Sequence, residues 1–215
     1  MMKTKLLTIL LLLFFIADQY LIIDDGNEFR FFTKILLIPI LLGIYLVESK
    51  HRFLKIDLLF VLGLIFSFFG DLFLLFSWGF LPGLGSFLLA HVFYIFCFRK
   101  LATPFSTKKY LPLILIYLFA LIYLLFPHLN EMKIPVIVYG IVISTMLWVA
   151  LKTQNRLLIT GALLFVVSDS ILSFRLFMVK GLIYDVLVML TYVLAQYFLV
   201  KGMLTLNYEK RASLL

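Results

Sequence analysis

The chain has 215 residues, 64% of them hydrophobic and only 14% charged, with a net charge of +8 and a mean hydropathy of +1.14. A soluble domain is about 45–50% apolar and about 25% charged, so a water-soluble fold is excluded and the main solvent must be lipid. The single cysteine, Cys97, excludes a disulfide framework and a thiolate metal cluster, and its apolar run makes it an inert buried thiol.

A membrane-spanning helix needs about 20 mostly apolar residues, and eight such runs are present. The first, Leu6–Ile23, follows Met1-Met2-Lys3-Thr4-Lys5 in the manner of a signal peptide. Ala17-Asp18-Gln19-Tyr20 is a poor cleavage site, so an uncleaved first span is expected. The second, Phe32–Val47, is short. The third, Leu58–Phe76, and the fourth, Phe80–Phe98, are joined by the tight turn Ser77-Trp78-Gly79, where Trp78 reads as an interfacial anchor. The fifth, Leu111–Phe126, is again short. Ile134–Leu151, Leu157–Phe174 and Val186–Leu204 complete the set. Phe and Leu dominate without strand-like alternation, so helices are expected and not a barrel. The predicted fold is an all-α integral membrane protein of about eight transmembrane helices, forming one domain over residues 1–215.

Lys and Arg set the orientation. With the N-terminus inside, 14 of the 19 lie in inner segments, and only Arg30, Lys34, Lys133, Arg175 and Lys180 fall outside. Eight spans return the C-terminus to the inside. The expected location is therefore a bacterial cell membrane, multi-pass, with both termini cytoplasmic. The basic excess faces anionic lipid headgroups. No basic cluster is interleaved with aromatics in a polar loop, so membrane lipids and not nucleic acid are the expected partners. Oligomeric state is not written in these patterns.

Two acids lie well inside the spans, where a charge costs roughly 2.5–3.5 kcal/mol. Asp71 sits in "FFGDLFLLF" and Asp169 in "VVSDSILSF". Both spans run from inside to outside, and each acid is about five residues, roughly 8 Å, from the outer end of its run. Ser67, Gly70 and Asp71 share a helix face, as do Gly161, Ser168 and Asp169. Small residues let helices approach closely, so both acids are predicted to point into the bundle and, if the helices are neighbours, to share a site. On the fourth span Phe87, His91 and Tyr94 share a face, and on the eighth Tyr192, Ala195 and Gln196 do so. "GDLFLLF" echoes "SDSILSF", and "LAHVFYI" echoes "LAQYFLV". The echo permits two parallel four-helix halves, residues 1–105 and 106–215.

Plainer readings exist for each residue. The two aspartates serve as structural acids bonded to serines, His91 as a satisfied interior histidine, and Tyr94, Tyr192 and Gln196 as interhelical hydrogen-bond partners. Asp18 lies close to an interface and is expected to be wetted. Arg175 and Lys34 snorkel at the outer boundary or hold a lipid phosphate. Asp71, Asp169 and His91 would be a conceivable metal set, but there is no HExxH spacing and no second histidine within a span, so neither a metal nor another cofactor is expected.

Four blocks taken together, "FFGDLFLL", "GLGSFLLAHVFYI", "GALLFVVSDSIL" and "TYVLAQYFLV", resemble in order and spacing the YhhN-like family of multi-span membrane proteins. That family includes lysoplasmalogenases, membrane enzymes that hydrolyse the vinyl ether bond of lysoplasmalogens to a fatty aldehyde and a glycerophospho-alcohol. The resemblance implies a lysophospholipid substrate. It implies Asp71 and Asp169 as catalytic acids, with His91, Tyr94, Tyr192 and Gln196 in the same pocket. The family's Lys-Pro pair at the start of the second span is matched only in part: Lys34 is followed by Ile35, and the proline comes at Pro39. Lys34 is the candidate for headgroup contact. Two carboxyls suit this chemistry, because vinyl ether cleavage passes through an oxocarbenium ion, as glycoside hydrolysis does. One must deliver a proton, and the other must stay ionised to stabilise the cation and orient water. No serine elbow of the GxSxG type is present or needed. Two other classes use similar residues. A proton- or cation-coupled transporter would place acids near the midplane, and a non-catalytic membrane protein would tolerate their loss.

Overall fold

A computed structural model of the protein describes residues 2–24 and 27–212. Among them are eight α-helices: α1 (Met2–Ile23), α2 (Asn27–His51), α3 (Leu58–Phe73), α4 (Phe80–Leu101), α5 (Leu111–Leu125), α6 (Lys133–Lys152), α7 (Arg156–Phe177) and α8 (Leu182–Ala212). No strand occurs among the described residues. Seven helical segments are long and apolar enough to cross a membrane, α5 being counted with its flanking 3₁₀ turns as Lys108–His128, while the apolar α3 has only 16 residues. This is the all-α multi-pass architecture that composition demands.

The two acid-bearing helices begin on side-chain caps. The Asp57 carboxylate accepts from the N–H groups of Leu59 at 2.9 Å and Phe60 at 3.2 Å. Asn155 accepts from the N–H of Leu158 at 3.0 Å. Each satisfies donors that a helix start leaves open.

Helix lengths depart from the apolar runs in two places. The second element is long, because α2 continues through polar residues from Asn27 to His51. Hydropathy marks where a helix meets lipid, not where its hydrogen bonds end. The third is shorter than its apolar run. α3 stops at Phe73, and the apolar residues after it belong to a turn in which Phe76 N–H donates to Phe73 O and Gly79 N–H to Phe76 O. At 1.5 Å per residue α3 is about 24 Å long, less than a typical hydrocarbon core. The fifth is short as an α-helix, but 3₁₀ turns at Lys108–Tyr110 and Phe126–His128 extend it at both ends.

Packing follows from small residues and buried faces. α3 lies on α4, α7 on α8 and α1 on α2; α2 also touches α3 and α8, and α6 joins α4 to α7. α5 stands at the edge against α6 and presents Leu113, Ile116, Phe119 and Tyr123 outward, as α1 presents Leu6, Leu12, Leu13 and Ile16. In a membrane these faces meet lipid. At Gly161 a Cβ would lie 2.9 Å from the carbonyl oxygen of Ala195, so glycine sets the α7–α8 distance. At Gly63 a Cβ would overlap the ring of Tyr94, which is fully buried and stacked on Phe98. Gly63→Ala is therefore expected to destabilise by about 2 kcal/mol, the scale of overpacking a closed core. A lowered melting temperature in detergent is the readout.

Candidate active site

Asp71 lies two residues before the end of α3, whereas Asp169 lies eight residues before the end of α7. Their depths counted from helix ends do not match, because α3 stops early. The two acids nevertheless line one cavity of about 140 Å³.

Each carboxyl has its own partners. Asp71 is 3% exposed. Its Oδ1 lies 3.6 Å from Nζ of Lys34 on α2, and its Oδ2 accepts a 2.6 Å hydrogen bond from the hydroxyl of Tyr192 on α8. The Tyr192 ring is held edge-on between Phe87 and Phe165, with centroids at 5.9 and 5.5 Å. A cation and a phenol thus converge on one carboxylate, a charge-assisted arrangement. Asp169 has a different setting. Its Oδ2 accepts a 2.5 Å hydrogen bond from the hydroxyl of Tyr139 on α6. Nε2 of His91 stands 3.9 Å from the same oxygen, too long for a hydrogen bond. The His91 ring is fully buried and packs edge-on against Tyr139 and Phe165.

Of the candidate catalytic and binding residues, Lys34, Asp71, Asp169 and Tyr192 reach the cavity wall, and so do Phe87, Ser168 and Arg175, which the sequence also singled out. His91 stands behind Asp169. Tyr94 and Gln196 are not on the wall: they form a separate buried layer. There the Tyr94 hydroxyl donates to Gln196 Oε1 at 2.9 Å, and Gln196 Nε2 donates to Ser67 Oγ at 2.9 Å. The reason is helical geometry. Gln196 shares a face with Tyr192 but lies one turn, about 6 Å, further along α8, so a shared face does not give a shared depth.

Several residues go against expectation or beyond it. Asp18 is fully buried and not wetted; it accepts from Thr33 Oγ1 at 3.1 Å and lies 3.7 Å from Nε of Arg30. Arg175 stays partly exposed, with Asp185 as a partner that sequence reasoning did not name: its Nε is 2.8 Å from Asp185 Oδ1. Tyr139 escaped notice: it sits mid-helix in an apolar run with no polar neighbour in sequence, and only the packing of α6 between α4 and α7 brings it to Asp169. Trp78 is exposed and stacks on Phe76, as befits an anchor at the α3–α4 turn.

The cavity has a polar side and an apolar neighbour. Arg30, Lys34, Arg175 and Asp185 make its charged wall. Beyond Phe87 and Leu172, which both spaces share, a narrow cleft of about 30 Å³ runs between Phe80, Leu84, Val136 and Phe177. Asp169 borders both. Among the described residues no group of three or more His, Cys, Asp or Glu side chains is placed to hold a metal ion. The arrangement puts one carboxyl, Asp169, where a charged cavity meets an apolar cleft, and the other, Asp71, on the charged cavity alone.

Fold and site together define a multi-pass helical membrane protein with an intramembrane pair of carboxyls. The chain belongs to the YhhN family, whose sequence model matches residues 29–203. It is 35% identical over 136 residues to human lysoplasmalogenase TMEM86B, an alignment covering 62% of this chain and 58% of that relative. The chain thus spans less than two thirds of the length of the curated relative it matches. No solved structure matches it.

Proposed function

We propose that this protein is a membrane hydrolase of lysophospholipids that cleaves the vinyl ether bond of a lysoplasmalogen, releasing a fatty aldehyde and a glycerophospho-alcohol. The observation that carries the reading is the position of Asp169, a carboxyl at the border between a cation-lined cavity and an apolar cleft, with Asp71 on the same cavity. In a lysoplasmalogen the labile bond sits at that junction between headgroup and chain. The family membership and the similarity to the human lysoplasmalogenase support the same reading.

The two settings divide the roles. Asp71, against Lys34 and the Tyr192 hydroxyl, serves as the ionised partner. Asp169 has no cation beside it and faces the apolar cleft, and it delivers the proton. Tyr139 fixes one of its oxygens and leaves Oδ1 to face the substrate. The proton goes to the alkene carbon remote from the ether oxygen, leaving an oxocarbenium ion across the C–O bond. Asp71 stabilises this cation electrostatically and orients water, which adds to the carbon that bears the ether oxygen. The adding water gives one proton to Asp71; as the hemiacetal collapses, its hydroxyl proton returns to Asp169, its ether C–O bond breaks, and the proton on Asp71 passes to the leaving glycerol oxygen, giving the aldehyde and the free alcohol and restoring both carboxyls. On the orientation set by the basic residues, the cavity opens toward the outer side of the membrane.

The test is aldehyde release from a 1-alkenyl lysophosphatidylethanolamine by the purified protein in detergent. The reading fails if no aldehyde forms. Tyr139→Phe is expected to lower kcat about tenfold with little change in KM, because it removes one hydrogen bond to the acid and no contact to the lipid. Steady-state kinetics check this, and an unchanged kcat would remove Tyr139 from the mechanism.

A further inference from the structure

A second cavity, of about 720 Å³, opens between α1, α2 and α8 at the far end of the bundle from the two aspartates. On its wall, Lys201 lies nine residues beyond Tyr192 along α8, about 13 Å, and Glu48 lies fourteen residues beyond Lys34 along α2, about 21 Å. Three cations line it, Lys5 on α1, Arg52 just after α2 and Lys201 on α8. One carboxylate stands among them. Glu48 accepts from Arg52 Nη2 at 3.2 Å and from Lys201 Nζ at 3.1 Å, so it orders two cations while cancelling one charge. Lys5 is exposed and forms no ion pair among the described residues. The surplus of positive charge suits an anion. An apolar track leads out of the same cavity. Ile9 is on the wall, one turn beyond Lys5, and Leu12, Leu13 and Ile16 continue that face of α1, all of them more than half exposed. A free phosphate would use the cations and leave this track idle, whereas a phospholipid uses both.

We propose that this cavity is a binding site for an anionic two-chain phospholipid such as phosphatidylglycerol, with the phosphate among Lys5, Arg52 and Lys201 and an acyl chain along Ile9, Leu12 and Ile16. On the orientation set by the basic residues, this end of the bundle is the inner one, and basic pockets between helices on that side are where anionic headgroups bind. A choline headgroup carries its own cation into the cluster and meets like charge there, so the site discriminates against zwitterionic lipid. The phosphate bridges cations from three elements and thereby ties α1 to α2 and α8. The site shares no residue with the cavity of Asp71 and Asp169, so the inference does not depend on the reaction proposed above.

The test is thermal unfolding of the full chain in neutral detergent, titrated separately with dioleoyl phosphatidylglycerol, dioleoyl phosphatidylcholine and inorganic phosphate. Phosphatidylglycerol at saturation is expected to raise the melting temperature by roughly 5 °C, the scale of a ligand held well above its dissociation constant, and the other two should have little effect. Lys5→Gln should shift the phosphatidylglycerol titration to about fivefold higher lipid, the scale of one lysine at an anionic surface, and leave the lipid-free melting temperature unchanged, since Lys5 pairs with nothing in the protein. Lys3→Gln is the control. Lys3 is also exposed on α1 but sits about 200° around the helix from Lys5 and does not line the cavity, so its titration should match wild type. Equal stabilisation by phosphatidylcholine overturns the proposal, and so does an unshifted titration in Lys5→Gln, which would place the lipid elsewhere. An equal shift in Lys3→Gln would mean diffuse surface attraction in place of a site and overturns it too. Stabilisation by inorganic phosphate as large as that by phosphatidylglycerol would mark a soluble-anion site and overturn the assignment to lipid.

Discussion

Asp169→Asn and Asp71→Asn are each expected to lower aldehyde release by roughly 10³-fold, the scale of losing a general acid or a charge that stabilises a developing cation. An amide keeps the shape of the carboxyl but neither delivers a proton to carbon nor carries a negative charge. The two variants should differ in stability, and that difference tests the division of roles. Asp169 has no cation beside it, so its amide leaves no charge stranded, and Asp169→Asn should melt close to wild type. Asp71 lies 3.6 Å from Lys34, which is itself largely buried. Asp71→Asn leaves that ammonium uncompensated and should destabilise by about 3 kcal/mol. Adding Lys34→Met to Asp71→Asn should recover much of the stability and none of the activity. Melting curves and aldehyde assays on the same preparations separate the two effects. If both single variants fold and retain full activity, neither carboxyl is catalytic.

Gly79→Ala should destabilise by about 3 kcal/mol, the largest expected effect among the glycines. A Cβ there would overlap the carbonyl oxygen of Phe73 and lie 2.6 Å from its carbonyl carbon. Those are backbone atoms at the last residue of α3, so no side chain can turn aside. The backbone φ of Gly79 is −83°, an ordinary value, so proximity and not conformation demands glycine. Opening the turn would move the end of α3, two residues beyond Asp71, away from Phe87 on α4. Gly85→Ala is the control. A Cβ at Gly85 meets nothing within 4 Å, and alanine should stabilise α4 by up to about 1 kcal/mol. Equal melting temperatures for the two variants would contradict the packing described for the α3–α4 turn.

Much of this architecture is legible in the sequence, because a carboxylate in an apolar helix is conspicuous wherever it stands. Asp71 and Asp169 stand out for that reason, Tyr192 through the face it shares with Gln196, and Lys34 through its place at the start of the second span; all four line the cavity. Tyr139 does not stand out, since a tyrosine in an apolar run resembles packing until the third dimension places it 2.5 Å from an acid. Asp18 misleads in the other direction. It looks like a boundary residue meeting water, yet it is fully buried beside Arg30 on α2. Tyr94 and Gln196 show the limit of face periodicity, which places residues around a helix axis but says nothing of which neighbour lies at each depth. The early stop of α3 is hidden because Leu74, Leu75 and Phe76 are as apolar in a turn as they would be in a helix.

The most direct test of the central claim is one reaction: purified protein with 1-alkenyl lysophosphatidylethanolamine in D₂O, with the lipid products read by mass spectrometry. Proton delivery to the alkene carbon predicts a fatty aldehyde carrying one deuterium on the carbon next to the carbonyl, together with glycerophosphoethanolamine. Release of glycerophosphoethanolamine with no aldehyde, or an aldehyde without deuterium at that carbon, would contradict it.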